Sequence, residues 1–307
     1  MRQVVLIIAV LAALTVTTER VGAATPQCPS DADTLNTIGR LLAAMPETED
    51  QKRVIRAALD SALARIDGLE KQLWEGTLNE APFQAAGRMA MLSRSAQSPR
   101  LKELYRRAAQ DQFVRSQSQV SATLPPLARQ YLSNITGARA CRADADNSPW
   151  ILQDVRSNGW YRVSQFGADA DTAAFLLVQH ADRMPEIQME ILPILEALLP
   201  SKDTQGQSYA LLYDRVAVGE GRAQRYGTQG RCTAPNVWTP METEDAESLE
   251  ARRQAVGFPI SYADYTAGLN RVCANRAPPI LPPGFRVVSP APTTSGSAAG
   301  AGRPAGE

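Results

Sequence analysis

The chain lacks the residues and motifs on which the commonest enzyme and metal-binding families depend. Its 307 residues include one histidine and four cysteines, and its 32 basic side chains balance 32 acidic ones. One histidine excludes an HExxH metalloprotease, and widely separated cysteines exclude zinc fingers and zinc ribbons. No Walker loop, GxGxxG or GxSxG string carries a phosphate-binding or acyl-transfer signature. We therefore predict no metal and no cofactor, and zero net charge argues against a nucleic-acid partner.

The first 23 residues have the pattern of a secretory signal peptide. Arg2 supplies a positive n-region, Val4 to Val16 form the apolar stretch, and Val21-Gly22-Ala23 offers small residues before a cleavage site. The apolar stretch is too short to span about 30 Å of hydrocarbon comfortably. The sequence therefore predicts a periplasmic or secreted protein with no membrane partner after cleavage.

Export would place the four cysteines in an oxidising compartment, where disulfides persist. Four cysteines allow three pairings, and sequence alone does not choose among them. The economical hypothesis keeps each bridge within one region of the chain. It pairs Cys28 with Cys141 and Cys232 with Cys273.

Composition divides the chain into four segments. A signal peptide (1–23) precedes a helical N-terminal region (24–140), and a motif-bearing domain (141–277) follows. The last segment (278–307) contains seven prolines and five glycines but few charges. Such a stretch buries too little apolar surface to offset its ordering entropy, so we predict a disordered tail.

Residues 30–133 have helical periodicity almost throughout. Ser30 or Asp31 can cap a first helix, and a second runs from about Glu49 to Trp74. Two further helices are separated near Ser98-Pro99. The N-terminal region is therefore predicted to be all helical.

The second half mixes helical and strand patterns. Ala173 to Val178 is apolar on every side, which predicts a buried helix, and Pro185 opens the next one. Tyr209 to Val218 and Arg222 to Gln229 flank a glycine-bearing turn and predict a β-hairpin. Thr239 to Glu242 reads as a capping box that begins the last long helix. The fold class predicted is mainly α, with a helical N-terminal region and a helical C-terminal domain containing a small β-hairpin.

Three polar clusters stand in apolar surroundings: Gln179 to Asp182, Asp214-Arg215, and Gln224 to Gln229. In the predicted hairpin, alternate residues share a sheet face that is too polar for a plain core. That face would hold Tyr213, Arg215, Gln224, Tyr226 and Thr228. The candidate ligand-binding residues are Gln179, Arg215, Gln224, Tyr226, Thr228, Gln229 and Arg253.

Arg253 falls on the apolar stripe of the predicted last helix, with Leu249 and Val256. A buried guanidinium needs a carboxylate or an anionic ligand as a partner. Asp182 and Asp214 are the candidate carboxylates, and an internal partner is the simpler interpretation.

His180 allows three interpretations. It can be a buried, hydrogen-bonded strut at a helix end. It can be a general acid/base whose ring Asp182 or Asp214 orients, which makes these three the candidate catalytic residues. A metal site built from the same three residues is less suitable, because one histidine with carboxylates is a poor transition-metal set.

Several strings resemble a bacterial exported domain family of unknown function over roughly residues 105–268. They are LLVQHAD (Leu176 to Asp182), YDRV (Tyr213 to Val216), QRYGTQ (Gln224 to Gln229) and Arg252-Arg253. Gly159-Trp160 and Asp111 to Arg115 fit looser upstream motifs, although many relatives have GWP where this chain has Gly159-Trp160-Tyr161. The resemblance implies a domain and assigns no activity.

Three hypotheses about function remain. The first is a protein that binds a small polar or anionic ligand, or a protein partner, through a Gln/His/Asp/Arg/Tyr pocket. The second is a hydrolase or lyase with His180 as acid/base and Arg215 or Arg253 as anion stabiliser. The third is a structural or interaction protein in which these residues hold the fold together. The sequence leaves open whether the protein is an enzyme.

Overall fold

The computed structural model describes residues 28–275. The predicted signal peptide and the predicted C-terminal tail lie outside the described residues. Between residues 28 and 275, no helix is long and apolar enough to cross a membrane.

Five helices form the first half of the described chain, one more than the four predicted, and the prediction that this region is helical is confirmed. Ser30 and Thr48 begin the first two with capping boxes, and Pro99 and Pro126 begin the last two at positions that need no N–H. Ser30 is therefore the cap of the first helix. The elements are α1 (Asp31–Ala44), α2 (Glu49–Glu75), α3 (Gln84–Ser95), α4 (Pro99–Ser116) and α5 (Pro126–Asn158).

The second half adds shorter helices and one two-stranded antiparallel sheet, which confirms the mainly α class. Its helices are α6 (Val163–Phe166), α7 (Ala168–Gln179), α8 (Pro185–Leu198), α9 (Gly206–Gly219), α10 (Leu249–Ala255) and α11 (Tyr262–Val272). Its strands are β1 (Gly230–Ala234) and β2 (Val237–Pro240).

Helix α7 is buried in the core, as the uniformly apolar stretch from Ala173 to Val178 predicts. Ala173, Ala174 and Val178 are fully buried. The helix packs against α4, α5, α8 and α9, so each of its sides meets a neighbouring element. With the short helix α6, which also packs against it, five helices surround α7, whose last residue is Gln179.

The boundary that we placed at residue 140, between the N-terminal region and the motif-bearing domain, falls inside α5. This helix continues past Pro149 to Asn158. Side chains from both sides of that position, such as Leu132 and Ile151, belong to the same hydrophobic core. Asp171 of α7 connects the segments before and after this helix. Its carboxylate accepts hydrogen bonds from Trp160 Nε1 (2.7 Å) and Thr204 Oγ1 (2.8 Å).

The position predicted for the β-hairpin is wrong. Tyr209 to Val218 lies within helix α9, and the segment from Arg222 to Gln229 forms no strand. The buried residues Tyr209, Leu212 and Val216 follow the helical period, and this spacing outweighs the β-branched and aromatic content. The shared sheet face predicted for Tyr213 to Thr228 therefore does not exist.

The hairpin that forms lies immediately downstream, with Gly230 paired to Pro240 and Arg231 to Thr239. Asn236 turns the chain in the left-handed region, with φ of 59°. A Cβ at Gly230 would lie 2.3 Å from the Trp238 ring, so glycine is required where the strands pack.

The predicted start of the last long helix at Thr239 to Glu242 is also wrong. Thr239 and Pro240 end β2, and α10 begins only at Leu249, after a short 3-10 turn. Ser261 caps the next helix, α11, because its side-chain oxygen accepts a hydrogen bond from Asp264 N (3.1 Å).

Both predicted disulfides are present, Cys28–Cys141 and Cys232–Cys273. The first joins the start of the described chain to α5, and the second joins β1 to the residue after α11. Two structural disulfides indicate that the protein folds in an oxidising, extracellular environment.

Candidate functional site

His180 lies directly after α7, at the C-cap of that helix. Asp111 and Arg115 face it from α4, where a spacing of four residues puts both side chains on one face of the helix. Asp144 approaches from α5. Three helices that pack around the core thus bring four ionisable groups together.

The carboxylate beside His180 is that of Asp111, rather than Asp182 or Asp214. His180 Nδ1 lies 2.9 Å and 3.0 Å from the two oxygens of Asp111. Asp111 is 1% exposed and the His180 side chain 12%. Because a carboxylate only accepts hydrogen bonds, Nδ1 carries the proton and Nε2 is left as the basic nitrogen of the neutral ring.

His180 Nε2 has a single contact among the described residues, a long one of 3.5 Å to Gln179 Nε2. The two nitrogens of this ring are therefore unequal. Nδ1 is held by a buried charge, whereas Nε2 is in contact only with a neutral amide that its own chain neighbour supplies.

Cationic and amide donors hold the Asp111 carboxylate from its other side. Arg115 Nε donates to Asp111 Oδ1 (3.1 Å), and Gln112 Nε2 donates to Asp111 Oδ2 (2.8 Å). Burial alone would raise the pKa of Asp111, but the hydrogen bonds and charges of His180 and Arg115 hold that pKa below its ordinary value. Asp111 is therefore ionised wherever the protein is folded near neutral pH.

Asp144 is the acid of the cluster that titrates near neutrality. Burial raises its pKa to about 7, and the neighbouring carboxylates Asp111 and Asp182 add to the rise, while Arg115 and Arg183 oppose it. Arg115 Nη2 donates to Asp144 Oδ1 and so bridges the two carboxylates.

Ligand atoms of Asp111, Asp144 and His180 lie within 4.8 Å of one another, a spacing that could surround a metal ion. The guanidinium of Arg115 already contacts both carboxylates, however, and supplies the positive charge that they need. A cation would have to displace Arg115 to bind there. The donor set thus fits an internal ion-pair network better than it fits a resident metal.

Asp182 neutralises a different arginine. Arg215 Nη1 donates to Asp182 Oδ1 (2.8 Å) and to the carbonyl oxygen of Gln179 (2.8 Å). Gln188 Nε2 also reaches the Gln179 carbonyl (3.0 Å) and Asp182 Oδ1 (3.1 Å). Together these contacts fix the turn that carries His180, although Asp182 itself is 62% exposed.

Asp214 lies in a second cluster and orders the segment from Arg222 to Gln229. Its fully buried carboxylate accepts hydrogen bonds from the backbone N–H groups of Arg225 (2.7 Å), Tyr226 (2.9 Å) and Thr228 (2.8 Å). Burial raises the pKa of Asp214, and these three donors oppose the rise.

Gln224 closes the same segment. Its Nε2 donates to the carbonyl oxygens of Gln229 (2.9 Å) and Met241 (3.0 Å), and its Oε1 accepts from Gln229 N (2.7 Å). The Tyr226 ring packs edge-on against Tyr209 and Tyr213. These polar side chains are bound to the protein itself.

Arg253 is fully buried, as its stripe predicted, but neither Asp182 nor Asp214 is its partner. Its Nη1 donates to the carbonyl oxygen of Tyr226 (2.8 Å), and its guanidinium lies 3.7 Å from the centre of the Phe258 ring. A carbonyl and an aromatic face therefore replace the expected carboxylate.

The structure thus divides the predicted site residues between two clusters. Gln179, His180, Asp182 and Arg215 lie together at the end of α7, whereas Asp214, Gln224, Tyr226, Thr228, Gln229 and Arg253 order the segment that precedes β1. Asp111, Arg115 and Asp144 are not among the predicted site residues, although Asp111 and Arg115 lie in one of the looser upstream motifs. The Asp111/Arg115 pair has an i,i+4 spacing that marks one helix face, but Asp144 carries no local pattern that distinguishes it from other helical acids.

The fold and these clusters define a mainly helical, disulfide-bonded domain. The chain belongs to the family of unknown function DUF6624, which it matches over residues 99–272, more than half of its length. No curated protein and no solved structure matches it. The matched span includes Asp111, Asp144 and His180, so the whole cluster lies within the family domain.

The raised pKa of Asp144 predicts a pH-dependent effect of the Asp144→Asn variant. The unfolded chain releases this proton near pH 4, whereas the folded chain keeps it up to about pH 7. The folded state therefore holds the extra proton between these values, and the stability that it contributes is lost as pH rises through 7. Asn cannot ionise, so the Tm of the variant should rise relative to wild type between pH 5 and pH 8, by about 2–4 °C, corresponding to roughly 1 kcal/mol.

Thermal melts at several pH values check this expectation. Asp146→Asn removes an exposed acid on the same helix and is the matched control variant. A pH-independent Tm difference for Asp144→Asn would contradict the titration assigned to Asp144.

Proposed function

We propose that this protein binds a small polar ligand beside His180 and that His180 Nε2 exchanges a proton with it. The observation that carries the proposal is the inequality of the two ring nitrogens. A purely structural histidine is expected to be satisfied at both nitrogens, because unsatisfied buried groups are costly. Here a buried carboxylate binds Nδ1, and the one hydrogen-bond partner that the described residues give Nε2 is the amide of Gln179, at 3.5 Å.

The arrangement of Asp111 behind His180 has a chemical consequence. A carboxylate at Nδ1 fixes the tautomer and stabilises the imidazolium that forms when Nε2 takes a proton. Hydrolysis or elimination is the reaction class that these groups would support if the ligand is turned over.

The proposal includes an exported location, periplasmic or secreted. The two disulfides support it, because such bonds persist in oxidising compartments. The signal-peptide pattern of residues 1–23 agrees with the same compartment.

Chemical modification tests whether His180 Nε2 is available, because the chain has one histidine. Diethyl pyrocarbonate acylates an accessible neutral imidazole nitrogen, so the folded, oxidised protein should form one imidazole adduct, at Nε2. Mass spectrometry and ultraviolet absorbance measure the adduct, and circular dichroism shows whether the fold is retained.

The His180→Gln variant is the control and should give no imidazole adduct. If wild-type protein gives no adduct until it is unfolded in urea, both ring nitrogens are unavailable in the native state. The acid/base role would then have to be abandoned.

A further inference from the structure

A groove of about 310 Å³ runs between α1 and α5, outside the His180 cluster. Ile38, Leu41 and Ala138 give it an apolar surface, and Leu41 is 49% exposed there. Its volume lies at the lower end of the range for small-molecule sites, about 300–1,000 Å³.

Gly137 keeps the α5 side of the groove open. It lies inside a long helix, where glycine is about 1 kcal/mol less favourable than alanine. A Cβ at this position would meet no atom within 4 Å. No steric conflict therefore requires glycine here, and a larger side chain would extend into the groove.

Arg183 is the one cation among the described residues that line the groove. It is exposed, and the described residues give its guanidinium no ion pair or hydrogen bond. Its charge acts on Asp144, whose carboxylate lies within 4.8 Å of the His180 ring. Arg183 thus lies between the groove and the His180 cluster.

We propose that this groove binds a linear carboxylate with an apolar chain, such as a fatty acid, with its carboxylate on Arg183. An apolar groove whose lining cation has no ion pair among the described residues is complementary to an apolar chain with one anionic end. Two acidic groups, Asp33 in the lining of the groove and Asp144, on which the charge of Arg183 acts, would repel a doubly charged phosphate more strongly than a single carboxylate. A singly charged headgroup therefore fits better than a phosphate ester.

This inference goes beyond the proposed function, because the groove is formed without His180. The carboxylate would nevertheless lie on the side of the groove that faces the His180 cluster.

Calorimetric titration of the full chain, with both disulfides formed, tests the inference with decanoate kept below its micelle concentration. Decanoate should bind, whereas acetate, which lacks the chain, should not, and decanol, which lacks the charge, should bind more weakly. Arg183→Gln should weaken decanoate binding on the order of tenfold, the expected effect of losing one charge-assisted hydrogen bond.

Gly137→Leu should abolish decanoate binding by filling the groove. Gly68→Leu is the matched control, because Gly68 is an exposed glycine inside α2 whose added Cβ also meets nothing within 4 Å. Both variants should melt slightly higher than wild type, since leucine favours helix, and Gly68→Leu should bind decanoate normally.

Equal binding of decanoate to wild type and Gly137→Leu would show adventitious association and overturn the inference, as would no binding to wild type. His180→Gln should bind decanoate as wild type does. Loss of binding in that variant would mean that the ligand lies at the His180 cluster and not in the groove, whereas failure of the diethyl pyrocarbonate test alone would leave the groove unaffected.

Discussion

Asp214→Asn should destabilise the protein by about 4 kcal/mol. The carboxylate accepts three backbone N–H bonds at full burial, and hydrogen bonds to a charged group are worth about 1.5–3 kcal/mol each. Asn keeps one acceptor oxygen and turns an amide donor toward a backbone donor. A loss of this size lowers Tm by roughly 8–16 °C.

Asp214→Asn should also destabilise the segment from Arg222 to Gln229 locally, because other side chains bind to the backbone of this segment. Arg253 donates to the Tyr226 carbonyl, and Tyr265 Oη donates to the Thr228 carbonyl (3.1 Å). Hydrogen exchange should therefore show the amides of Arg225, Tyr226 and Thr228 losing protection before those of α7.

Asp182→Asn is the matched control for this experiment. Asp182 is an exposed acid paired with Arg215, so its loss should cost less than about 1 kcal/mol. If Asp214→Asn melts within the range of Asp182→Asn, the three backbone hydrogen bonds do not hold the segment in place.

Local sequence patterns are sufficient to predict the helices that have clear capping residues, a regular apolar stripe or an entirely apolar surface. The first helices follow from capping residues and periodic leucines, and α7 follows from a stretch that is apolar on all sides. α9 was predicted as a strand because Tyr209 to Val218 is rich in valine and tyrosine. Its true state depends on burial at Tyr209, Leu212 and Val216, where tertiary packing decides the element.

Only part of the candidate site could be predicted, because tertiary packing again decides which residues come together. Gln179 and His180 can be identified from the sequence, because they are polar residues at the end of an apolar helix. The partner of His180, however, is Asp111, which lies 69 residues earlier in the chain. Only the packing of α4 against α7 brings the two together, so no spacing in the sequence identifies the pair. The nearer acids, Asp182 and Asp214, serve Arg215 and the backbone.

Neighbouring residues of α9 thus support different parts of the molecule. Arg215 holds the turn that carries His180, through the carbonyl of Gln179 and through Asp182. Asp214 holds the segment that precedes β1. Because adjacent helix residues point about 100° apart, one short helix contacts both clusters.

Asp111→Asn should lower the stability by about 3 kcal/mol, whereas His180→Gln should lower it by less than 1 kcal/mol. Removing the buried carboxylate leaves Arg115 and His180 without their shared anion, and breaking one side of a buried charged network typically costs about 3–5 kcal/mol. Gln at position 180 can still donate a hydrogen bond to Asp111. The expected Tm losses are roughly 6–12 °C and less than 4 °C.

The contrast between these two variants separates an oriented acid/base from a structural strut. Nitrogen NMR of the single histidine should show the proton on Nδ1 in wild type, and Asp111→Asn should change the tautomer because an amide can donate to Nδ1. If His180→Gln is as unstable as Asp111→Asn, the imidazole supports the fold and the acid/base role fails. If His180→Gln is stable and the tautomer responds to Asp111, a buried carboxylate orients a ring that the fold does not need, which is the arrangement a proton-transfer site requires.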